Sequence, residues 1–342
     1  MIIRPAGRAG TGSRLQHWVD RRRAISRPAA GITALLVVFL GVIPCMGAGD
    51  FGAAFLATGL GVRAQGMGGA FAAVADDASA VFWNSAGLAR SRRADGLASV
   101  QKLSLDRKQY SLAAATNSRG GLGFGFALIY TGVDDLIARA GSGDKIGDID
   151  NSAYAVFFAV GLPLIGDLSA GAAVKIIRQN LEVIPDFGAS TGASTANGRA
   201  VDLGLRYRLG STRAGVVLKN LAGQLDWTVR RSAQQSNKST EDLPLTLTLG
   251  VAHQVTTSLL VAADVLTSNI DTYANAGVEF RISPMLSMRG GVHGMGGNGG
   301  AGGTAFGVTV RPMNKDTILF NYTFVDDVDA GSRTLAGLSL HF

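Results

Sequence analysis

The feature that most constrains this chain is a series of segments, each about ten residues long, in which apolar residues alternate with polar or small ones. In Ala200 to Leu209, the residues Val201, Leu203, Leu205, Tyr207 and Leu209 share one face of an extended chain, and Asp202, Gly204, Arg206 and Arg208 share the other. A period of two is the mark of a β-strand with one apolar face. Ala274 to Ile282 repeats the pattern, with Glu279 and Arg281 opposite Val278 and Phe280. Lys175, Asp264, Arg289 and Arg311 occupy the polar faces of other such segments. The chain ends in the same way, with Leu338, Leu340 and Phe342 on one face and Ser339 and His341 on the other.

Counted this way, the sequence predicts fourteen strands. They lie at roughly 97–104, 108–116, 121–131, 152–162, 168–178, 200–209, 213–220, 243–253, 259–266, 273–282, 285–292, 304–311, 317–325 and 333–342. Such strands fit either a soluble sandwich, whose apolar faces meet each other, or a membrane barrel, whose apolar faces meet lipid. Length favours the barrel. Tilted spanning strands need about 9–11 residues, whereas ordinary strands average about 5–6. Connections separate the two as well: those at 133–151, 179–199 and 221–242 read as long loops, while Asn117 to Gly120, Pro163 to Asp167, Gly210 to Thr212 and Pro312 to Asp316 are short. Outer-membrane barrels alternate long extracellular loops with short periplasmic turns. A lipid-facing Arg or Lys near mid-membrane costs about 2–4 kcal/mol, so charged faces such as Asp202, Arg206 and Arg208 are expected to line the lumen.

The formal charge of +7 is misleading. Residues 1–48 hold seven arginines and one acid, or +6, which leaves 25 basic against 24 acidic residues in the rest. A basic leader, an apolar run from Ala29 to Ile43 and the small-residue site Met46-Gly47-Ala48 form a signal peptide with cleavage after Ala48. That 15-residue run is shorter than the roughly 20 residues of a spanning helix. The charge gives no reason to expect nucleic acid. Cys45, the single cysteine, lies in the leader behind Pro44, a poor fit to a lipidation site, so the exported chain has no disulfide or thiolate. The four histidines are scattered, without ligand spacing. No metal, cofactor or catalytic constellation is expected, and the chain does not read as an enzyme.

Residues 49–95 precede the barrel, 96–342, and lack its alternation. Gly59, Gly61 and Ala64 match a dinucleotide fingerprint, but no βαβ unit surrounds them. The acids Asp144, Asp148, Asp150, Asp326, Asp327 and Asp329 have no EF-hand spacing and read as solvated loop charge. Asp76 or Asp77 is placed to cap a short helix over Ala78 to Phe82. Trp83 and Asn84 then face the lumen or its periplasmic rim, and packing within this segment accounts for them better than ligand contact does.

Two blocks in this segment, Phe55 to Phe71 (with Arg63-Ala64 and Met67-Gly68-Gly69-Ala70) and Ala75 to Leu88 (with Asp76-Asp77-Ala78 and Trp83-Asn84-Ser85-Ala86-Gly87-Leu88), resemble the N-terminal region of the FadL superfamily, and within it the PorV/PorQ-like branch. Asn84-Ser85-Ala86 stands where that branch has Asn-Pro-Ala. The resemblance implies a fourteen-stranded barrel in the bacterial outer membrane, plugged by an N-terminal hatch. It also implies passage of hydrophobic small molecules beside that hatch, with Phe55, Phe71, Phe82 and Trp83 supplying an apolar path. The alternative it carries is a PorV-like role, in which the barrel binds secreted proteins through long loops such as Leu221 to Asp242, with Trp227, Arg230 and Arg231. The final strand, ending on Phe342, is similar to the closing strand that the barrel-assembly machinery reads, which makes that machinery and outer-membrane lipid the other expected partners.

Overall fold

The structure is a computed structural model that describes residues 52–342, apart from 91–93, 105, 119, 134–136, 140–141, 143–144, 149–150, 184–191, 233–234, 270, 297–301, 313–316 and 329–330. The signal peptide, Cys45, Asp144, Asp150 and Asp329 lie outside the described residues.

The chain enters through a 3₁₀ turn (Ala54–Thr58), helix α1 (Val62–Gly66), helix α2 (Ala80–Trp83) and a second 3₁₀ turn (Ser85–Arg90). Then come β1 (Asp95–Lys102), β2 (Arg107–Asn117), β3 (Gly123–Val133), β4 (Ile137–Arg139), β5 (Lys145–Asp148) and β6 (Asn151–Pro163). The long strands β7 (Leu168–Val183), β8 (Gly192–Leu209) and β9 (Thr212–Ser232) follow, with β10 (Gln235–Asp242) and β11 (Thr246–Gln254). The rest are β12 (Leu259–Ser268), β13 (Thr272–Ser283), β14 (Leu286–Met295), β15 (Gly303–Val310), β16 (Ile318–Asp327) and β17 (Arg333–His341).

Fourteen of these strands form a closed antiparallel barrel, and β10 is an extra strand on its wall. Closure is direct: β17 pairs with β1 in the register His341 to Asp95, Leu338 to Ala98 and Leu335 to Gln101. Phe342 donates its backbone N–H to Ala94 at 2.9 Å, and the residue is exposed. No helix among the described residues is long and apolar enough to cross a membrane.

The faces follow the alternation. Leu203, Leu205, Tyr207, Phe126, Phe158, Val174, Phe280, Phe306, Phe320 and Tyr322 are exposed on the outside, while Asp202, Arg206, Lys175, Asp264 and Arg289 are buried on the inside. The sequence's long loops need correction. β7 runs on to Val183 and β8 already begins at Gly192; β9 continues to Ser232 and pairs above Leu221 with β10, so most of 221–242 is a hairpin. The segment 133–151 carries the small pair β4–β5. At about 3.3 Å per residue, strands of 16, 18 and 21 residues are far longer than a bilayer crossing requires.

Inside the barrel lies the segment 52–90, the hatch. Leu60, Met67, Phe71, Val74, Val81 and Leu88 are fully buried, against inward-facing alanines of the wall and against Ile129, Phe157 and Ile177. Glycines on the inner face of the strands admit its backbone. At Gly291, for example, a Cβ would fall on the main chain of Met67 and Gly68, and at Gly171 on that of Ser85 and Ala86. Only a residue without Cβ permits this approach.

Candidate functional site

The inward polar residues of the strands hold the hatch by its main chain. One Asp264 oxygen accepts the backbone N–H groups of Phe71 and Ala72 at 2.8 and 2.9 Å. Arg206 donates to the carbonyls of Ala73 (3.1 Å) and Ala75 (3.4 Å). Gln109 donates to the carbonyl of Gly59 at 3.0 Å, Thr323 to that of Val62 at 3.0 Å and Asn117 to that of Leu88 at 2.8 Å. Buried backbone groups need such partners; here the barrel wall supplies them.

Towards the end of the barrel carrying the short turns, charges join hatch to wall. Arg63, on α1, bridges Glu279 of β13 (2.9 Å), Asp77 (3.2 Å) and Asp76. Glu279 also accepts from Arg289, and Asp76 pairs with Arg213 at 3.1 Å. Burial alone would raise the Asp76 carboxyl, but the charges of Arg63, Arg213 and Arg206 outweigh it and hold the group below the usual carboxylate range. Burial likewise opposes the charge on Arg63, and Asp76 and Glu279 overcome it, raising its guanidinium well above the ordinary value. Arg311 donates to Ser287 at 2.9 Å, whereas Arg208 and Arg281 sit exposed close to short turns.

The α2 cap differs from the sequence expectation. The helix begins at Ala80 with Ser79 as N-cap, and its side chain makes no capping bond; Asp77 instead accepts the Ser79 N–H at 2.9 Å in a turn before the helix. Trp83 donates its indole N–H to the Leu60 carbonyl at 2.8 Å. Asn84 is buried and ties three segments, donating to Ala72 (2.8 Å) and Leu205 (3.1 Å) and accepting from Ala86 N–H (3.1 Å). Phe82 packs edge-on against Trp83 and Phe157, with ring centroids 5.1 and 5.7 Å away. Lys219, which sequence reasoning missed, places its ammonium 4.1 Å from the Phe82 centroid and 5.2 Å from that of Trp83.

Beside Lys219 the wall is irregular. β9 changes partner from β11 to β10 across Asn220–Gly223, where Asn220 and Ala222 have φ of 64° and 50°. Asp202 accepts the Asn220 N–H at 2.8 Å and pairs with Lys175 at 2.8 Å, and the Asn220 amide donates to the Pro244 carbonyl at 2.7 Å. Side chains thus stand in for ladder bonds that the bulge removes.

Above the hatch, towards the end bearing the long connections, is a cavity of about 570 Å³. Its floor is hatch: Phe55, Thr58, Gln65, Gly68, Gly69 and Trp83. Its walls come from strand ends, including Gln179, Tyr273, Asn275, His293, Asp327 and Arg333. His293 and Asp327 approach to 3.1 Å. Of the hatch residues singled out from the sequence, Phe55 and Trp83 line this cavity; Met67, Phe71, Phe82 and Asn84 are packed below it, and Arg63, Asp76 and Asp77 belong to the ion network. Lys175, Asp202, Arg206, Asp264, Glu279, Arg289 and Arg311 bind hatch or neighbouring wall and do not reach the cavity lining. Leu338 and Leu340 lie in β17, beside β1. No group of metal-binding side chains occurs among the described residues.

No family model matches the chain, and no curated protein matches it in sequence. Solved structures do match in shape. The Ralstonia pickettii toluene transporter TbuX is 17% identical, with 84% of this chain and 100% of that one covered and a TM-score of 0.59. The monoaromatic hydrocarbon channel CymD is 15% identical over 86% and 99% of the two chains, with a TM-score of 0.60. A Pseudomonas aeruginosa FadL homologue is 12% identical over 82% and 97%, with a TM-score of 0.53. The chain has the fold of these barrels.

Proposed function

We propose that this chain is an outer-membrane barrel, exported by its leader, through which hydrophobic small molecules pass, in the manner of the FadL superfamily. The observation that carries the reading is the cavity floored by Phe55 and Trp83 above a hatch that fills the barrel beneath it. Likeness of fold to TbuX and CymD, whose names describe a toluene transporter and a monoaromatic hydrocarbon channel, supports the same substrate class. Placement in the PorV/PorQ-like branch rests on the two hatch sequence blocks alone, and no particular feature of the site favours a secretion role over passage of small molecules.

Native mass spectrometry of protein extracted from its own outer membrane in mild detergent tests this. A stoichiometric hydrophobic small molecule is expected in the wild type and absent from Trp83→Asp, which puts a charge on the cavity floor. Co-purification of a secreted protein in place of any small molecule contradicts the proposal. The membrane setting has a separate check: Phe158, 54% exposed on the outside of β6, meets lipid, so Phe158→Arg is expected to lower stability in lipid by about 2–4 kcal/mol near mid-bilayer. Equilibrium unfolding in liposomes measures this, and an unchanged midpoint argues against lipid contact there.

A further inference from the structure

The cavity surface is mostly apolar, yet many polar side chains contribute to it, more than a chamber that holds bare hydrocarbon only would need. Three lining residues carry buried polar atoms that find no hydrogen-bond partner among the described residues: Gln65 Nε2, Gln179 Oε1 and Arg333 Nε. Gln65 is only 6% exposed. It projects from α1 of the hatch, Gln179 from β7 and Arg333 from the start of β17, so the side chains that carry these buried donors and this acceptor stand around one chamber. Buried polar groups are ordinarily bonded, and each left unpaired is costly. The terminal torsions of glutamine are broad, so its amide turns readily towards an incoming partner. The formal charges of the lining also balance, with Arg107 and Arg333 against Asp271 and Asp327.

From this we infer that the chamber selects a neutral oxygenated aromatic molecule, an alcohol or ketone, over the hydrocarbon of the same shape. The ring lies against Phe55 and Trp83; the ligand oxygen accepts from Gln65 or Arg333, and a hydroxyl donates to Gln179. This rests on the proposed passage of hydrophobic small molecules and narrows the chemistry of what is passed.

Benzyl alcohol and ethylbenzene form the matched pair, since they differ by hydroxyl for methyl. Equilibrium binding of each to protein in lipid nanodiscs, corrected with empty discs, is expected to show tighter binding of benzyl alcohol. Gln65→Met and Gln179→Leu are each expected to weaken benzyl alcohol about tenfold and leave ethylbenzene within about twofold. Ethylbenzene binding as tightly as benzyl alcohol to the wild type, a comparison that needs no variant, overturns the inference and leaves hydrophobic passage standing. Benzyl alcohol binding that neither substitution weakens also overturns it. Failure of both ligands to bind removes the inference and the functional reading together.

Discussion

Replacing Arg63 by methionine is expected to destabilise the folded barrel by about 3 kcal/mol. This is the low end of the range for removing one partner of a buried ion pair, because the Arg63 side chain remains 23% exposed. The methionine fills much of the space that the guanidinium stem occupied, so the loss is electrostatic. Glu279 is left with Arg289 and Asp76 with Arg213. The expected signature is a lower unfolding midpoint in detergent, with protease cleavage inside 62–79 that the wild type resists. A pH dependence accompanies it. The Asp76 carboxyl is held below the ordinary value of about 3.9, so its contribution is fully present above that value and is lost as pH falls through the lower folded one. Without Arg63 the folded value rises towards the unfolded one, so the window narrows and less stability is lost on acidification. Asp76→Asn is expected to remove this component. Identical acid titrations of stability in wild type and Asp76→Asn would show that Asp76 makes no such contribution.

Gly291→Leu is expected to be at least as severe, by a different route. A Cβ at this position meets the main chain of Met67 and Gly68, atoms that cannot swing aside as a flexible side chain would. Overpacking of a filled interior costs about 1–3 kcal/mol and more where backbone must move. The hatch, not the wall, is expected to yield, since β14 is bonded to β13 and β15 on its two sides. The variant should retain the heat-modifiable migration of a closed barrel and yet expose the hatch to protease. Gly290→Leu is the control: a Cβ there has only the side chain of Val278 nearby, at 3.8 Å. Equal protection of the hatch in both variants would contradict the packing described.

The contrast between Gly290 and Gly291 also shows what a sequence conceals. Strands such as Ala200 to Leu209 were legible because each residue had to choose between an apolar outside and a polar inside, and the fourteen positions follow from that choice. Where the strands extend past the region under that constraint, the signal fades. Gly192 to Arg199 is small and polar, and Gln235 to Asp242 has no apolar residue at all, so both read as loop although main-chain pairing alone makes them strands. The hatch was legible as a recognisable sequence block, and Phe55 and Trp83 within it reach the cavity. Buried charges such as Asp264 and Arg206 have hatch amides and carbonyls as their partners, which alternation cannot foretell. Gln65, Gln179 and Arg333 stood out least. They are separated by more than a hundred residues along the chain and meet only because the barrel closes from β17 to β1. Lys219 gave no signal either, since its aromatic partners Phe82 and Trp83 come from the hatch.

The most direct measurement is the initial uptake rate of radiolabelled toluene by cells that carry this protein in the outer membrane, against cells with the empty vector and cells with Trp83→Asp at equal surface abundance. Passage through a hatched chamber predicts faster uptake with the wild type, falling to the vector rate with Trp83→Asp. Equal rates in all three would contradict it.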